Sequence, residues 1–486
     1  MDFPHSNIGL PHSLDYKLPP SLPDSARTSS VHLAPDGITS VSSAVFAGNA
    51  FVANNTGAFG LFNSQVVSFT IPSGQGIGTS LDVLSTCLSF TLTYQVTTAS
   101  VTTNGSVNLI GSAASFFDQL ILYSNNVPIE TIGNYGLLQN YLLANMVSGN
   151  ERMGGLSVSM GCDTNSTTGI ELPTAVGTYR MNFNIPLCSI IGYNSDKHFP
   201  VGIVNNLQLQ MVTAQNLPFV SYCTVATTQP VFASAFMLSE FQLNLKYLDV
   251  GDIASSLLSQ TLQDGKWFMR STTYTNSAVT IPSGSNGNAQ LLLQIRNSSV
   301  KSLLQYFCTA QSTQCPNFYF DAICPSLNSR QIQIGSQFVP NKPINDIQRP
   351  AEGYSYLIQA LTSGGGLAKS AGSAVFRETY NVCIPSVVAG SDYAVNTPAN
   401  CVRTIVSGGD YSNTPINKWP NAAYYGYDLE KTSGILLCGV NTRSTPPFLN
   451  INFAQAMTST IICQAWGMSD VILAFDVPSR SVQAFI

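Results

Sequence analysis

Short apolar runs separated by turn-forming residues fill most of the chain beyond its first 40 residues. The clearest runs lie at 66–71, 88–96, 117–123, 178–185, 206–212 and 241–247. In the last run, apolar Phe241, Leu243, Leu245 and Tyr247 alternate with polar residues. Alternation with a period of two buries one face of a strand and exposes the other. Many short strands of this kind predict an all-β sandwich or barrel.

Few segments show helical spacing. The clearest has apolar residues three or four positions apart, at Ile132, Tyr135, Leu138, Tyr141 and Leu142. This pattern predicts a helix directly after a pair of strands. A shorter helix is predicted over 354–361, ended by the glycines at 364–366, and a third over 253–262.

Three landmarks occur in the same order in both halves of the chain. The peptide Thr-Ile-Pro-Ser-Gly at 70–74 recurs at 280–284. A strand–turn–strand–helix pattern at 117–143 has a counterpart at 330–361, and a closing strand at 236–250 has one at 463–477. A five-residue match alone is weak, but agreement in order predicts two divergent copies of one fold.

Charged residues make up 9% of the chain, against roughly 25% in typical soluble domains. Ser, Thr, Asn, Gln and Gly take their place, so the surface is hydrated by hydroxyls and amides. Weak repulsion between copies suits dense self-assembly. The net charge is −5 and the 20 basic residues are scattered, so we expect no direct nucleic-acid binding through phosphates.

The cysteines contain no CxxC pair and no Cys–His spacing typical of zinc sites. We expect reduced thiols rather than disulfides or metal ligands. The 11 positions are Cys87, Cys162, Cys188, Cys223, Cys308, Cys315, Cys324, Cys383, Cys401, Cys438 and Cys463.

The N-terminus has no apolar segment typical of a secretory signal, and no apolar run approaches the length of a membrane-spanning helix. We therefore expect neither a secretory signal peptide nor a membrane-spanning helix. The glycosylation sequons at Asn54, Asn104, Asn165 and Asn297 are then chance products of a composition rich in Asn, Ser and Thr.

Candidate catalytic residues are few. His5, His12 and His32 lie in the N-terminal stretch, so only His198 could act as a positioned base, and it reads as a loop histidine. Glu130 and Asp118 form the candidate carboxylate pair, although structural roles are expected for both.

Two further carboxylates, Asp249 and Asp252, flank Gly251 between the halves. They could bind Ca²⁺, but capping of the following helix is the simpler interpretation. No phosphate-binding loop or metalloprotease motif is present. We therefore predict no catalytic, cofactor-binding or metal site, no cofactor and no enzymatic activity.

Two stretches resemble double jelly-roll major capsid proteins of virophages, polinton-like viruses and related eukaryotic double-stranded DNA viruses. SFFDQLILYSNNVPIETIGNYGLLQNYLL at 115–143 is similar to the first roll of that family, with a strand, a turn, an acidic strand and a helix opened near a Tyr. PSLNSRQIQIGSQFVPNKPI at 325–344 resembles the matching part of the second roll. With the repeat, the resemblance covers about 49 to 485.

The resemblance implies two tandem eight-stranded jelly rolls with a few short helices. The expected division is an extended N-terminal arm at 1–45, a first roll at 46–252, a linker at 253–265 and a second roll at 266–486. The long polar stretches at 154–174 and 387–421 are candidates for outward towers, and the helix of each roll for a subunit boundary.

The family's function implies homotrimers that form pseudo-hexameric capsomers of an icosahedral virion shell around double-stranded DNA. Expected partners are other copies of the chain and penton, minor capsid or cement proteins, with assembly inside a host cell. Two alternatives stay open. Tyrosine-rich 421–427 motivates a carbohydrate-binding fibre or lectin-like adhesin, and the Glu130–Asp118 pair motivates a glycosidase.

Overall fold

The structure is a computed structural model of the chain. It describes residues 24–38, 40–42, 64–98, 106–147, 151, 154–162, 168–173, 175–195, 198–214, 219–222, 231–232, 236–260, 262, 264–309, 327–345, 350–361, 424–431, 437–454, 456–457 and 460–486. Antiparallel strands dominate these residues, and short helices connect some of them.

The first half contains strands β1 to β14. They span β1 Arg27–Leu33, β2 Ser40–Ser42, β3 Val66–Ile71, β4 Thr79–Leu81, β5 Cys87–Thr98, β6 Ser106–Ile110, β7 Phe117–Ser124, β8 Val127–Gly133, β9 Thr168–Leu172, β10 Gly177–Pro186, β11 Leu207–Thr213, β12 Phe219–Tyr222, β13 Val231–Phe232 and β14 Met237–Asp249. Its helices are α1 Tyr135–Met146 and α2 Gly155–Met160, with 3-10 turns at Val83–Ser85, Ala113–Phe116 and Val201–Ile203.

Helix α3, Gly251–Gln260, connects the halves. The second half contains β15 Lys266–Ile281, β16 Gly287–Leu292, β17 Val300–Thr309, β18 Leu327–Ile334, β19 Gln337–Ile344, β20 Tyr424–Asp428, β21 Phe448–Phe453, β22 Ile461–Asp476 and β23 Ser481–Phe485. Helix α4, Pro350–Leu361, follows β19.

Each half forms a long sheet and a short sheet with the same strand order. The long sheets are β1-β14-β5-β10 and β15-β22-β17-β20, and the short sheets are β3-β11-β7-β8 and β16-β21-β18-β19. The eight strands of each half thus form one jelly roll, and the halves are called the first roll and the second roll. This confirms the predicted all-β double jelly roll. Strands β6, β9 and β12 form an extra sheet, in the order β12-β6-β9.

Each roll encloses a core between its two sheets. In the first, Phe90 of the long sheet packs edge-to-face on Phe117 of the short sheet, with ring centroids 5.4 Å apart. In the second, the buried guanidinium of Arg330 on β18 lies over the rings of Tyr425 and Tyr427 on β20, at 4.6 and 4.9 Å. Both pairings tie a short sheet to a long sheet.

The six strands predicted from the apolar runs are all present, within a few residues of the expected bounds. The alternation at Phe241, Leu243, Leu245 and Tyr247 is confirmed, because all four side chains are buried. The first predicted helix is present directly after the strand pair, although Ile132, which shares its spacing, belongs to β8. The chain turns at Asn134, whose φ of +48° is left-handed, and the helix begins at Tyr135.

Two of the three repeated landmarks occupy equivalent places in the rolls. β7-β8-α1 matches β18-β19-α4, and β14 matches β22. The Thr-Ile-Pro-Ser-Gly match is wrong as a repeat, because its first copy ends β3 and its second ends β15, whose equivalents are β16 and β1. Pro, Ser and Gly suit many turns after a strand, so a short match there arises without duplication.

Strand β1 lies inside the stretch that the sequence predicts to be an extended arm. All seven of its residues pair with β14, from Arg27 opposite Asp249 to Leu33 opposite Leu243. It is an edge strand with mostly exposed side chains, so its sequence does not alternate regularly between apolar and polar residues. Docking on β14 makes this part of the stretch a strand of the first long sheet.

Of the two predicted tower stretches, 387–421 lies outside the described residues, as do the glycines at 364–366. The other, 154–174, contributes α2 and β9. Strand β9 pairs with β6, and β6 pairs with β12, so three connections between core strands of the first roll meet in the small sheet.

Candidate functional site: the junction between the rolls

Glu130 on β8 is buried where the two rolls meet. Its carboxylate accepts hydrogen bonds from the Ser189 hydroxyl at 2.5 Å and the Ile190 N–H at 3.0 Å, both in the first roll. A third comes from the second roll, where the hydroxyl of Thr273 on β15 donates at 2.9 Å. Burial raises the pKa of Glu130 to about 7, although all three bonds favour the charged form. Glu130 therefore ties the rolls together.

The ionisable groups that face Glu130 are neutral near pH 7. Burial raises the pKa of the Cys188 thiol to about 12 and holds the pKa of the Tyr135 phenol well above its usual value. The Tyr135 hydroxyl accepts hydrogen bonds from the Cys188 backbone N–H and the Gln139 amide, at 3.0 and 2.9 Å. No cation is among the groups that shift Glu130, so the carboxylate depends on neutral donors.

Asp118 does not join Glu130. It is exposed on β7, and Leu122, four residues further along that strand, is the residue that pairs with Glu130. A rise of about 3.4 Å per residue places Asp118 about 14 Å from that position. Carboxylate pairs in glycosidases lie about 5 to 9.5 Å apart. The structure therefore does not assemble the pair that the glycosidase alternative requires.

His198 is half-buried beside Asp82 and Lys246. Burial lowers its pKa, with the Asp82 carboxylate acting in the opposite direction. The nearby Ser85 hydroxyl donates its hydrogen bond to the Asp82 carboxylate at 2.7 Å and not to the imidazole of His198. In a Ser–His–Asp triad, the serine hydroxyl must donate to the imidazole. The arrangement fits the predicted structural role.

Asp249 and Asp252 lie at the start of α3. The Asp249 carboxylate accepts the N–H of Gly251, the first helical residue, at 3.0 Å. Asp252 lies in the first turn, where a negative charge is favoured by the helix dipole. Both placements fit capping of the helix. Within the described part of the chain, no three His, Cys, Asp or Glu side chains are grouped closely enough to hold a metal ion.

The described cysteines are free thiols, mostly buried: Cys87, Cys162, Cys188, Cys308, Cys438 and Cys463. The other cysteines lie outside the described residues, as do Asn54, Asn104 and Asn165. Asn297 is buried, and its side chain donates to Ser469 at 2.7 Å, so in this fold it is not open to glycosylation. No helix in the described ranges has the length and apolar character needed to span a bilayer.

The tyrosines behind the lectin alternative are not on the surface. Residues 421–423 lie outside the described part, and the rest of the stretch forms β20. Tyr424, Tyr425 and Tyr427 are buried at 4%, 2% and 1% exposure. These three tyrosines pack inside the protein, so their rings are not exposed for stacking on a sugar.

An amide network joins the rolls next to Glu130. The Asn134 side chain, between β8 and α1, donates to Asn276 on β15 at 2.9 Å and to Gln464 on β22 at 3.0 Å. The indole N–H of Trp466 on β22 donates to the carbonyl of Gly133 at 3.2 Å. Each bond crosses from the edge of the first roll to the outer face of the second long sheet. The left-handed conformation of Asn134 aims its amide at that face.

Aromatic packing surrounds the network. Tyr141 of α1 lies against Tyr306, Tyr424 and Trp466 of the second roll, with centroids 6.4, 5.0 and 6.2 Å apart. Its hydroxyl donates to the carbonyl of Tyr425 at 2.7 Å. Buried aromatics with satisfied polar tips are typical of stable junctions. The sequence pattern did not identify these residues, although β17 and β22 lack the alternation of a half-exposed strand.

The outer face of the first long sheet, in contrast, is open and carries both polar and apolar side chains. It carries a groove of about 1000 Å³ bordered by β5, β10 and β14. Ser89 donates to Asn184 at 3.1 Å and Thr91 to Asn182 at 2.8 Å across its floor. At its rim, Arg180 forms a salt bridge with Glu240. This surface offers amides and hydroxyls rather than a reactive group.

Comparison with known proteins gives the class of the fold. No protein-family model and no curated protein sequence matches the chain. Among solved structures, PBCV-1 VP54 fitted into a reconstruction of the virophage Sputnik has a TM-score of 0.54 at 10% identity, covering 95% of this chain and 97% of that one. The fold is therefore that of double jelly-roll viral capsid proteins.

Two further structures have the same fold. The Sputnik virophage structure has a TM-score of 0.53 at 12% identity, covering 95% of this chain and 88% of that one. The Faustovirus major capsid protein has a TM-score of 0.51 at 8% identity, covering 94% and 91%. The likeness of these structures to this chain extends over both rolls.

Proposed function

We propose that this protein is a major capsid protein, the repeating unit of an icosahedral virion shell around double-stranded DNA. The observation that carries the proposal is the pair of equivalent jelly rolls locked side by side through β8 and α1. Three such chains provide six similar rolls, which suits a homotrimer with pseudo-hexagonal outline.

The surface chemistry supports this role. Low charge limits repulsion between copies, and a shell needs only modest affinity at each contact because each capsomer makes many. In this proposal, the partners are other copies of the chain together with penton, minor capsid or cement proteins. The protein acts in the virion after assembly inside a host cell, and it has no catalytic role.

The proposal is tested by the assembly state of the purified chain. Analytical ultracentrifugation is expected to show a species of three times the 52.0 kDa chain mass. Negative-stain electron microscopy is expected to show hexagonal capsomers in that fraction and in any particles. A chain that stays monomeric at high concentration and forms no hexagonal capsomers would overturn the proposal.

A further inference from the structure

The two rolls carry equivalent surfaces, but in the described part of the chain only one surface of each kind is covered by the other roll. In the first roll, β8 and α1 form a ridge that lies against the second roll, and nine of the twelve α1 residues are buried. The equivalent ridge of the second roll is β19 and α4. Its strand β19 is open, with five exposed residues and Phe338 at 41% exposure. Helix α4 packs Leu357 and Ala360 against Gly426 on β20 of its own roll and leaves Ser355 and Gln359 exposed.

The long sheets show the complementary difference. The outer face of the second long sheet receives the first ridge, through Thr273, Asn276, Gln464 and Trp466. The outer face of the first long sheet carries the open groove, and none of the described residues that line this groove belongs to the second roll. Among the described residues, one ridge and one receiving face are therefore not covered by the other roll, and the junction within the chain shows how such surfaces fit together.

We infer that the β19–α4 ridge of one copy docks in the groove on the first long sheet of a second copy. The contact between chains then repeats the contact within a chain, and the inference rests on the proposed capsid function by naming its subunit contact. A ridge at one end and a groove at the other make a head-to-tail interface, which closes into a ring when the rotation per copy allows it.

The chemistry of the two surfaces matches. The groove floor offers Ser89, Asn182, Asn184 and Gln242, and the ridge offers exposed Gln337 and Asn341. Amides and hydroxyls pair as both donors and acceptors, so such faces can satisfy each other when water leaves.

Apolar anchors are present on both sides. Val158 and Met237 line the groove with 82% and 37% exposure, and Phe338 projects from the ridge. The groove therefore combines polar side chains with exposed apolar surface, as interfaces between separately folded chains do.

Photo-crosslinking of assembled protein locates the contact directly. A benzoylphenylalanine in place of Phe338 is expected to crosslink to a second copy, at peptides containing 182–184 or 237–242. The matched control is the same photoreactive residue in place of Leu84, which is 70% exposed and lies outside both surfaces. Crosslinks from position 338 that map consistently to another surface would overturn the inference.

A groove variant tests whether the contact is needed. Asn184→Arg with Gln242→Arg introduces two charges at exposed strand positions, and it is expected to raise the trimer dissociation constant at least tenfold. The control, Asn288→Arg with Gln290→Arg, makes the same change at exposed positions on β16 of the second short sheet and is expected to leave trimers intact. Circular dichroism and the melting temperature verify that both variants fold.

The two proposals fail in different ways. If the parent chain forms trimers and capsomers but the groove variant does so equally well, the docking surface is wrong and the capsid function stands. If the folded parent chain never associates, both are overturned. Loss of trimers in the groove variant alone, with crosslinks in the groove, supports both.

Discussion

The two long sheets have the same strand order and opposite surroundings. On β5 of the first, apolar Leu88, Phe90 and Leu92 face the core and polar residues face the open groove. On β17 of the second, Leu303 and Phe307 belong to the core of that roll, whereas Leu304 and Tyr306 pack with the first roll. A sheet covered on both faces loses its alternation, and one covered on a single face keeps it.

The chain uses one fold in two ways. In the second roll, the outer face of the long sheet forms a junction with aromatic rings. In the first roll, the same face carries an open groove. Substitutions on one face at a time test whether the two faces differ in their contribution to stability.

The largest effect is expected from Trp466→Ala. Its indole is fully buried at the junction, so truncation leaves a cavity and removes the hydrogen bond to Gly133. The free energy of unfolding is expected to fall by about 3–5 kcal/mol. Guanidinium denaturation followed by fluorescence and circular dichroism measures it. A loss below about 1 kcal/mol would show that the covered face does not hold the rolls together.

A somewhat smaller effect is expected from Glu130→Gln, and it depends on pH. The pKa of Glu130 is raised from 4.5 to about 7, so the protonated group is favoured in the folded state. Its stabilising contribution is fully present below about pH 4.5 and is lost as pH rises through 7. Above pH 7 the ionised carboxyl costs about 3 kcal/mol relative to its protonated form.

Replacement of Glu130 by Gln removes the titrating carboxyl group. The amide can still form hydrogen bonds with the surrounding groups, once the Thr273 hydroxyl turns to accept a hydrogen bond from it. The variant is expected to gain stability relative to the parent as pH rises from 5 to 8, in urea titrations at each pH. Thr273→Val should raise the pKa of Glu130 further, because it removes a donor to the carboxylate. An unchanged pH profile in Glu130→Gln would contradict this account.

A third effect, about 1–2 kcal/mol, is expected at Asn134. Asn134→Gly keeps the left-handed φ of +48° but removes the two amide bonds to the second roll. Asn134→Ala removes the same bonds and adds about 1 kcal/mol of backbone strain. The two variants, compared by thermal unfolding, separate the junction from the turn. Equal stability of Gly and Ala at this position would show that the turn conformation contributes nothing.

The smallest effect is expected on the open face. Gln242→Ala removes a side chain that is exposed in the single chain, so the unfolding free energy of dissociated subunits is expected to change by less than about 0.5 kcal/mol. Chemical denaturation at low protein concentration measures it. A change as large as that of Trp466→Ala would remove the distinction between the two faces.

Much of the fold was predictable from local pattern. Alternation located the six clearest strands, and helical spacing of apolar residues located the helix that follows β8. Strand β1 was missed because its side chains are mostly exposed on a sheet edge, and the Thr-Ile-Pro-Ser-Gly repeat was misleading because turn chemistry recurs without ancestry. The junction residues were not predicted, since Glu130 and Thr273 are 143 residues apart in the chain.

The local pattern of the chain specifies which segments become strands, because period-two burial and turn residues act over a few positions, and the order of its landmarks indicates a duplicated fold. The apolar sequences of β17 and β22 also indicate strands that are covered on both faces, although they do not identify the covering residues. Which sheet faces are covered depends on the tertiary packing. That packing buries Tyr424 and Tyr425, and it places Glu130 in a hydrogen bond with Thr273 of the other roll. Burial depends on what packs against a face, and that partner lies far away along the chain.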